Sequence, residues 1–197
     1  MTFETIKTAM KNCIVGIAGA GGLGSNCAAA LVRSGIGNLI IADFDTISES
    51  NLNRQFYFFD QIGEAKVVAL KENLLKINPD VHIIAHNIKL NETNILEIFK
   101  NCNVVVEAFD IAEQKEMLIE TILAFFPDKP LVAGLGMAGY GNTNSLKARK
   151  VDNLYICGDE HSEISENNPP LAPRVGIVAS MQANVVLELL LNKFAHL

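Results

Sequence analysis

The sequence has no excess of basic residues: 16 lysines and arginines stand against 22 aspartates and glutamates in 197 residues, a net charge of −6. A general nucleic-acid binder needs a basic face, so that class is excluded, while a local basic pocket for an anionic ligand is not. Cysteine is sparse and dispersed. The four, at positions 13, 27, 102 and 157, form no C-x-x-C pair. Neither a zinc knuckle nor a thioredoxin-like motif is available, and a reducing cytoplasm is the expected compartment. No uninterrupted apolar run approaches the ~18 residues of a membrane span, so no transmembrane helix is expected. The opening MTFETIKTAMKN holds polar residues throughout and no apolar h-region, which argues against a signal peptide. Internal repeats and low-complexity tracts are missing as well.

What is present is the material of a folded core. Apolar residues make up 49% and charged residues 19%, so disorder is not expected. Residues 1–197 are read as a single domain, able to bury one sizeable core. Short apolar runs at 13–18, 38–42, 81–85, 104–108 and 131–135 alternate with helical spacing at 22–34, 66–78, 94–100 and 112–126. That alternation predicts an α/β fold: a doubly wound, mostly parallel Rossmann-like sheet with helices on both faces. Residues 145–150 and 153–156 are expected to add a short antiparallel extension near the C-terminus. Residues 158–173 hold three prolines and read as a loop long enough to be functional. Residues 175–191 form a last apolar helix. In a sheet of this kind the ligand sits beyond the carboxyl ends of the strands.

Gly19-Ala20-Gly21-Gly22-Leu23-Gly24 follows the first strand and opens a helix. The first glycine permits a tight turn, the second lets backbone N–H groups approach a phosphate, and the helix N-terminus favours the anion. Asp43 ends the second strand, where a carboxylate accepts hydrogen bonds from ribose hydroxyls. Together these specify a nucleotide with a ribose and leave NAD, FAD and ATP open. The next segment narrows the choice. Asn51, Arg54, Gln55 and Lys66 follow the ribose acid. A dehydrogenase needs no such cluster, whereas a triphosphate does: Arg54 offers a planar fork, Lys66 a point charge, and the two amides neutral donors. At about 4 Å and an effective dielectric near 20, each cation–phosphate pair contributes roughly 4 kcal/mol of Coulomb attraction before desolvation.

These stretches, GAGGLGS (19–25), DFDTISESNLNRQ (43–55), GEAK (63–66), INPDV (77–81), VVVEAFD (104–110) and VGIVASMQANVVLELL (175–190), resemble the ThiF/MoeB-like adenylating enzymes, relatives of the ubiquitin-activating enzymes. The likeness spans most of the chain and is nearest to the short ThiF family 2 proteins. It implies an adenylyltransferase, with thiamine biosynthesis as the pathway. Such an enzyme activates the C-terminal glycine carboxylate of a small ubiquitin-like sulfur carrier (ThiS-like) with ATP and Mg²⁺, giving an acyl adenylate and pyrophosphate. By likeness, Gly19, Gly21, Gly22, Leu23 and Gly24 contact the nucleotide and Asp43 the ribose. Asn51, Arg54, Gln55 and Lys66 take the phosphates, and Asp110 binds magnesium. Arg54, Lys66 and Asp110 would carry the catalysis. The competing use of Asp110 is as an N-cap of the helix that follows it.

The sequence departs from the family pattern in four respects. The paired C-x-x-C motifs of larger relatives are missing, so no zinc is expected. The usual Asp-Asn pair is Asp110-Ile111. The N-terminal basic arm that supplies an arginine across the dimer is absent, and Arg174 is the candidate replacement. The thiol-bearing loop is not cleanly matched; Cys157 is the only cysteine read near a loop and the one candidate thiol. None of the four histidines is assigned a role: His82 and His86 share a strand face but lie roughly 13 Å apart. Tyr140, between two glycines, is a candidate for the carrier's tail channel, with a turn as the simpler account. The likeness and the apolar last helix imply a homodimer; no nucleic-acid or membrane partner is expected. A nicotinamide-dependent oxidoreductase and a catalytically inactive nucleotide-binding partner are the alternatives.

Overall fold

The computed structural model describes residues 1–195, with side chains through residue 192. Seven strands form one sheet: β1 (Ile14–Ala18), β2 (Asn38–Asp43), β3 (His82–Asn87), β4 (Val104–Glu107), β5 (Leu131–Gly134), β6 (Lys147–Val151) and β7 (Leu154–Gly158). Their order is β3-β2-β1-β4-β5-β7-β6. All neighbouring pairs are parallel except β6 with β7, the antiparallel extension that the sequence implied.

The strand residues alternate between two apolar layers because successive side chains point to opposite faces. Val15, Ile17, Leu39, Ile41, Val104 and Val106 face one layer. That layer is completed by α1 (Phe3–Met10), α2 (Gly22–Arg33), α3 (Lys66–Ile77) and α6 (Ala172–Ala195). Ile40, Ala42, Val105 and Leu131 face the other, under α4 (Glu92–Phe99) and α5 (Ala112–Phe125). With both faces covered, the strands read as continuous apolar runs, which is why they were legible.

α1 departs from the reading of the N-terminus as merely polar. Thr2 caps it, its hydroxyl accepting the Thr5 N–H at 3.3 Å, and Ile6 and Met10, four apart, turn inward against the core. α6 also departs from expectation. Its Ala172–Asn192 stretch is long and apolar enough, by length and composition alone, to cross a membrane, with mean hydropathy 1.5. It packs on α2, as α3 also does, and buried Gln182 on it donates to the carbonyls of Glu107 (2.9 Å) and Val132 (3.3 Å). Val175, Val178, Ala179, Ala183, Val186 and Leu190 bury one face of it in the core, while Ile177 is 38% exposed and Met181 half-buried.

The sheet order reverses between β1 and β4, so the loops after these strands part and leave a crevice. Gly24 closes the β1–α2 turn: a Cβ there would overlap the carbonyl oxygen of Gly19, itself at φ 98°. The loop from β7 to α6 is fastened by a buried ion pair between Asp159 and Arg174. Burial pushes the Asp159 carboxyl up. The Ser162 and His161 N–H groups, the Ser162 hydroxyl and Arg174 outweigh this and hold it down at about 2.

Two stability measurements test this account. Gly24→Ala is expected to cost about 1–3 kcal/mol or more in urea unfolding, the price of overpacking against fixed backbone. Gly176→Ala, where a Cβ would meet nothing within 4 Å, should instead add about 0.5–1 kcal/mol. The low Asp159 value means that the unfolded chain takes up this proton first. The pair's contribution is therefore complete above about pH 4 and is lost as pH falls towards 2. Asp159→Asn should be less stable at neutral pH, and its stability should change less between those pH values than that of the unaltered chain.

Candidate nucleotide site

A cleft of about 1250 Å³ opens at the carboxyl ends of the parallel strands. Gly19, Gly21, Gly22 and Leu23 form its floor. The N-cap of α2 is Gly21, with no side-chain cap, so the first N–H groups of that helix are left to a ligand. Gly24, expected among the nucleotide contacts, does not line the cleft; its part is the close backbone approach described above.

Asp43 lies at the rim. Its Oδ2 accepts the Ala20 N–H at 2.6 Å and its Oδ1 the Asp45 N–H at 2.7 Å. Burial pushes this carboxyl upward, and the two N–H groups and Lys66 work against it. Each oxygen keeps a second lone pair, which suits it to accept from a ribose hydroxyl while holding the glycine turn.

The segment after Asp43 reaches the glycine loop through contacts that sequence reasoning missed. Asn26 Nδ2 donates to the carbonyls of Gly22 (2.6 Å) and Arg54 (2.8 Å). Ser25 Oγ accepts the Phe56 N–H at 3.0 Å. Buried Tyr57 donates its hydroxyl proton to Ala20 O at 2.7 Å. These bonds bring Arg54 and Gln55 beside the first turn of α2. Arg54 Nη1 donates to Asn53 Oδ1 at 2.7 Å and Ser50 O at 3.1 Å, and the side chain lines the cleft. Lys66, buried at the start of α3, pairs with Asp45 at 2.7 Å and also lines it. Gln55 is buried there with its Oε1 unpartnered.

Asn51 is a correction. It does not line the cleft; its Oδ1 accepts the Ser48 N–H at 3.1 Å and caps a 3-10 turn, Glu49–Asn51. Asn53, two residues on, lines the cleft in its place.

On the opposite wall, Asp110 lines the cleft at the end of β4. It is not the N-cap of α5: that position is Ile111, and no side-chain cap bond is made. Among the described residues no group of three or more His, Cys, Asp or Glu is placed to hold a metal ion. Magnesium would fit Asp110 only together with phosphate oxygens, the manner in which Mg²⁺ is commonly held. Beside it stands a pair invisible in the sequence. Lys115 donates to the fully buried Glu107 carboxylate and to Gly134 O at 3.0 Å. Glu107 Oε1 also accepts the Phe109 N–H at 2.7 Å, pinning the turn that carries Asp110.

Two candidates fall away from the cleft. Arg174 does not line it and cannot replace an arginine arm, because its guanidinium is buried against Asp159. Cys157 is fully buried on β7, and desolvation pushes its thiol up to about 12. It is thus a core side chain in this conformation, with almost no thiolate at neutral pH. Tyr140 is 87% exposed in a turn between two glycines at positive φ.

The chain is 33% identical over 187 residues to "Adenylyltransferase and sulfurtransferase MOCS3" of Caenorhabditis briggsae, covering 91% of this chain and 46% of that protein. It is 29% identical over 189 residues to the molybdopterin-synthase adenylyltransferase of Escherichia coli K12, covering 93% and 75%. The fold matches that of the E. coli tRNA N6-threonylcarbamoyladenosine dehydratase TcdA solved with AMP: TM-score 0.88, 19% identity, 98% of this chain and 92% of that one. It also matches E. coli MccB solved with ATP: TM-score 0.71, 25% identity, 94% and 57%. The ThiF family profile matches residues 4–196, nearly the whole length over which the glycine turn, Asp43, Arg54, Lys66 and Asp110 are spread, and the chain belongs to the ThiF family.

Proposed function

We propose that this protein is an ATP-dependent adenylyltransferase acting on the C-terminal carboxylate of a small ubiquitin-like sulfur carrier. The observation that carries the reading is the convergence of Arg54 and Lys66 on the glycine-floored cleft, beside Asp43 and facing Asp110. The relatives named adenylyltransferase support it, as does the ATP-bound MccB neighbour.

In this reading a carboxylate oxygen of the acceptor attacks the α-phosphorus, the bond to the β-phosphate oxygen breaks, and pyrophosphate leaves with that electron pair. No side-chain nucleophile is required; the residues position the reactants and stabilise charge. Asp43 orients the ribose, the α2 N-terminus and Arg54 hold phosphate oxygens, and Lys66 adds a compact cation. Asp110 would hold Mg²⁺, which when bound neutralises phosphate charge. The far side of the cleft, formed by Gly134, Gly136, Met137, Ser162, Ile164, Pro169 and Pro170 with Glu163 as its carboxylate, is mostly uncharged, fitting an extended glycine-rich terminus. A polynucleotide acceptor would instead meet Glu116, Glu120 and Glu163. A homodimer and a cytoplasmic setting accompany this proposal.

Exchange of labelled pyrophosphate into ATP, driven by the carrier, is the direct test. Arg54→Ala and Lys66→Ala should each lower it by roughly 10²–10³, the scale of losing one preorganised donor. Unchanged exchange in both variants would sink the assignment. Equilibrium binding should favour ATP–Mg²⁺ over NAD⁺; the opposite preference would favour an oxidoreductase. ATP binding with no exchange in the carrier's presence would mark an inactive partner.

A further inference from the structure

Residues 159–171 run from β7 to α6 and contribute Ser162, Glu163, Ile164, Pro169 and Pro170 to the cleft wall. Two side chains outside the lining hold their start from within, Asp159 and Arg174, 8% and 5% exposed, while the Glu160 carboxylate is paired on the surface with Arg149 of β6. Asp159 Oδ1 accepts the N–H groups of His161 (2.9 Å) and Ser162 (2.8 Å) and the Ser162 hydroxyl (3.0 Å). Its Oδ2 accepts Arg174 Nη2. Arg174 Nη1 donates to Gly141 O at 2.5 Å, in the loop after β5. Ser162 Oγ accepts the Ala138 N–H at 3.2 Å from that same loop. One buried ion pair thus joins the start of the strap, the loop after β5 and the first turn of α6. The far end is held separately, by the Gly139 N–H on Pro169 O at 2.9 Å.

The nucleotide side of the cleft is held by other bonds, those of Tyr57, Asn26 and Asp45, and shares none with this pair; the strap touches that side at its far end, where Asn53 Nδ2 donates to Pro170 O at 3.4 Å. We propose that Asp159 and Arg174 are positioning residues for the acyl substrate: they hold residues 160–171 as the wall along which a peptide terminus is aligned towards the nucleotide, and they leave nucleotide binding itself untouched. The proposal rests on the adenylation reading for its substrate, and on the strap's bonds alone for its mechanics. Removing one partner leaves the other charge buried and uncompensated, so the strap opens rather than shifting slightly.

The strap holds Glu160, Glu163 and Glu166, sites for a glutamate-specific protease. In the full chain, Asp159→Asn should speed cleavage within residues 160–171 by about tenfold, since such cleavage follows the population of the open form. The ATP dissociation constant, measured by equilibrium dialysis, should stay unchanged. With a synthetic peptide ending in a free Gly-Gly as acceptor, the KM for peptide should rise about tenfold with the KM for ATP unmoved, the pattern of lost acceptor binding. Arg174→Ala should give both effects, and Arg174→Lys, which keeps the charge, a smaller version of each. Should Asp159→Asn fail to fold, Ser162→Ala removes the hydroxyl's bonds to Asp159 and to the Ala138 N–H, leaves the ion pair, and should shift both readouts in the same direction by a smaller factor. Unchanged strap cleavage, or ATP affinity weakening in step with the peptide KM, overturns the proposal. If the unaltered chain shows no exchange at all, the adenylation reading fails, and the protease result alone decides whether the pair holds the wall.

Discussion

The site depends on one seam, where the first turn of α2 is bonded to residues 54–57. A parallel sheet brings strand ends together, but it does not aim an irregular segment. Here the aiming is done by Asn26, Ser25 and Tyr57, whose polar atoms take up backbone groups that would otherwise be buried without partners. The glycine turn therefore arrives with its cations already beside it, and no large rearrangement is needed before an anion is met.

The cleft's cations are held in different ways. Lys66 is paired with Asp45 and Lys115 with Glu107, whereas Arg54 is bonded to neutral oxygens. A phosphate approaching Arg54 competes with an amide and a carbonyl; one approaching Lys66 competes with a carboxylate. Arg54 is thus the cation readiest to engage a phosphate, and Lys66 adds a charge kept in place by Asp45. Glu107 is fully buried, and Lys115 lines the cleft with its charge turned onto that carboxylate. Their pair neutralises a carboxylate in the core and steadies the turn bearing Asp110.

The opposite wall is built on a different principle. Residues 159–171 carry little regular structure, and their shape comes from side-chain oxygens accepting backbone N–H groups, with a guanidinium completing the cluster. The bonds of Asp159 and Arg174 are distinct from those of Asn26, Ser25 and Tyr57, and the two walls meet where Asn53 Nδ2 donates to Pro170 O at 3.4 Å.

The element order, the glycine turn, Asp43, Arg54 and Lys66 were legible in the residues because each is a local pattern: period-2 burial, helical spacing, or a fixed offset from a strand end. The first turn of α1 was equally local, in Thr2 and the Ile6–Met10 spacing, but the polar composition of the segment obscured it. What only the tertiary structure decided is where side chains of irregular segments point and which charges meet. Asn51 turns to its own 3-10 turn while Asn53 faces the cleft; two residues apart in a loop, no periodicity ranks them. Arg174 looked available and is buried because Asp159, fifteen positions earlier, folds back onto it. Cys157 read as loop-proximal and lies inside β7 because β5 pairs with it across the sheet. A chain can inscribe its own local geometry, but the burial of a charge or a thiol is settled by partners brought from elsewhere, and those appear only once the layers have closed.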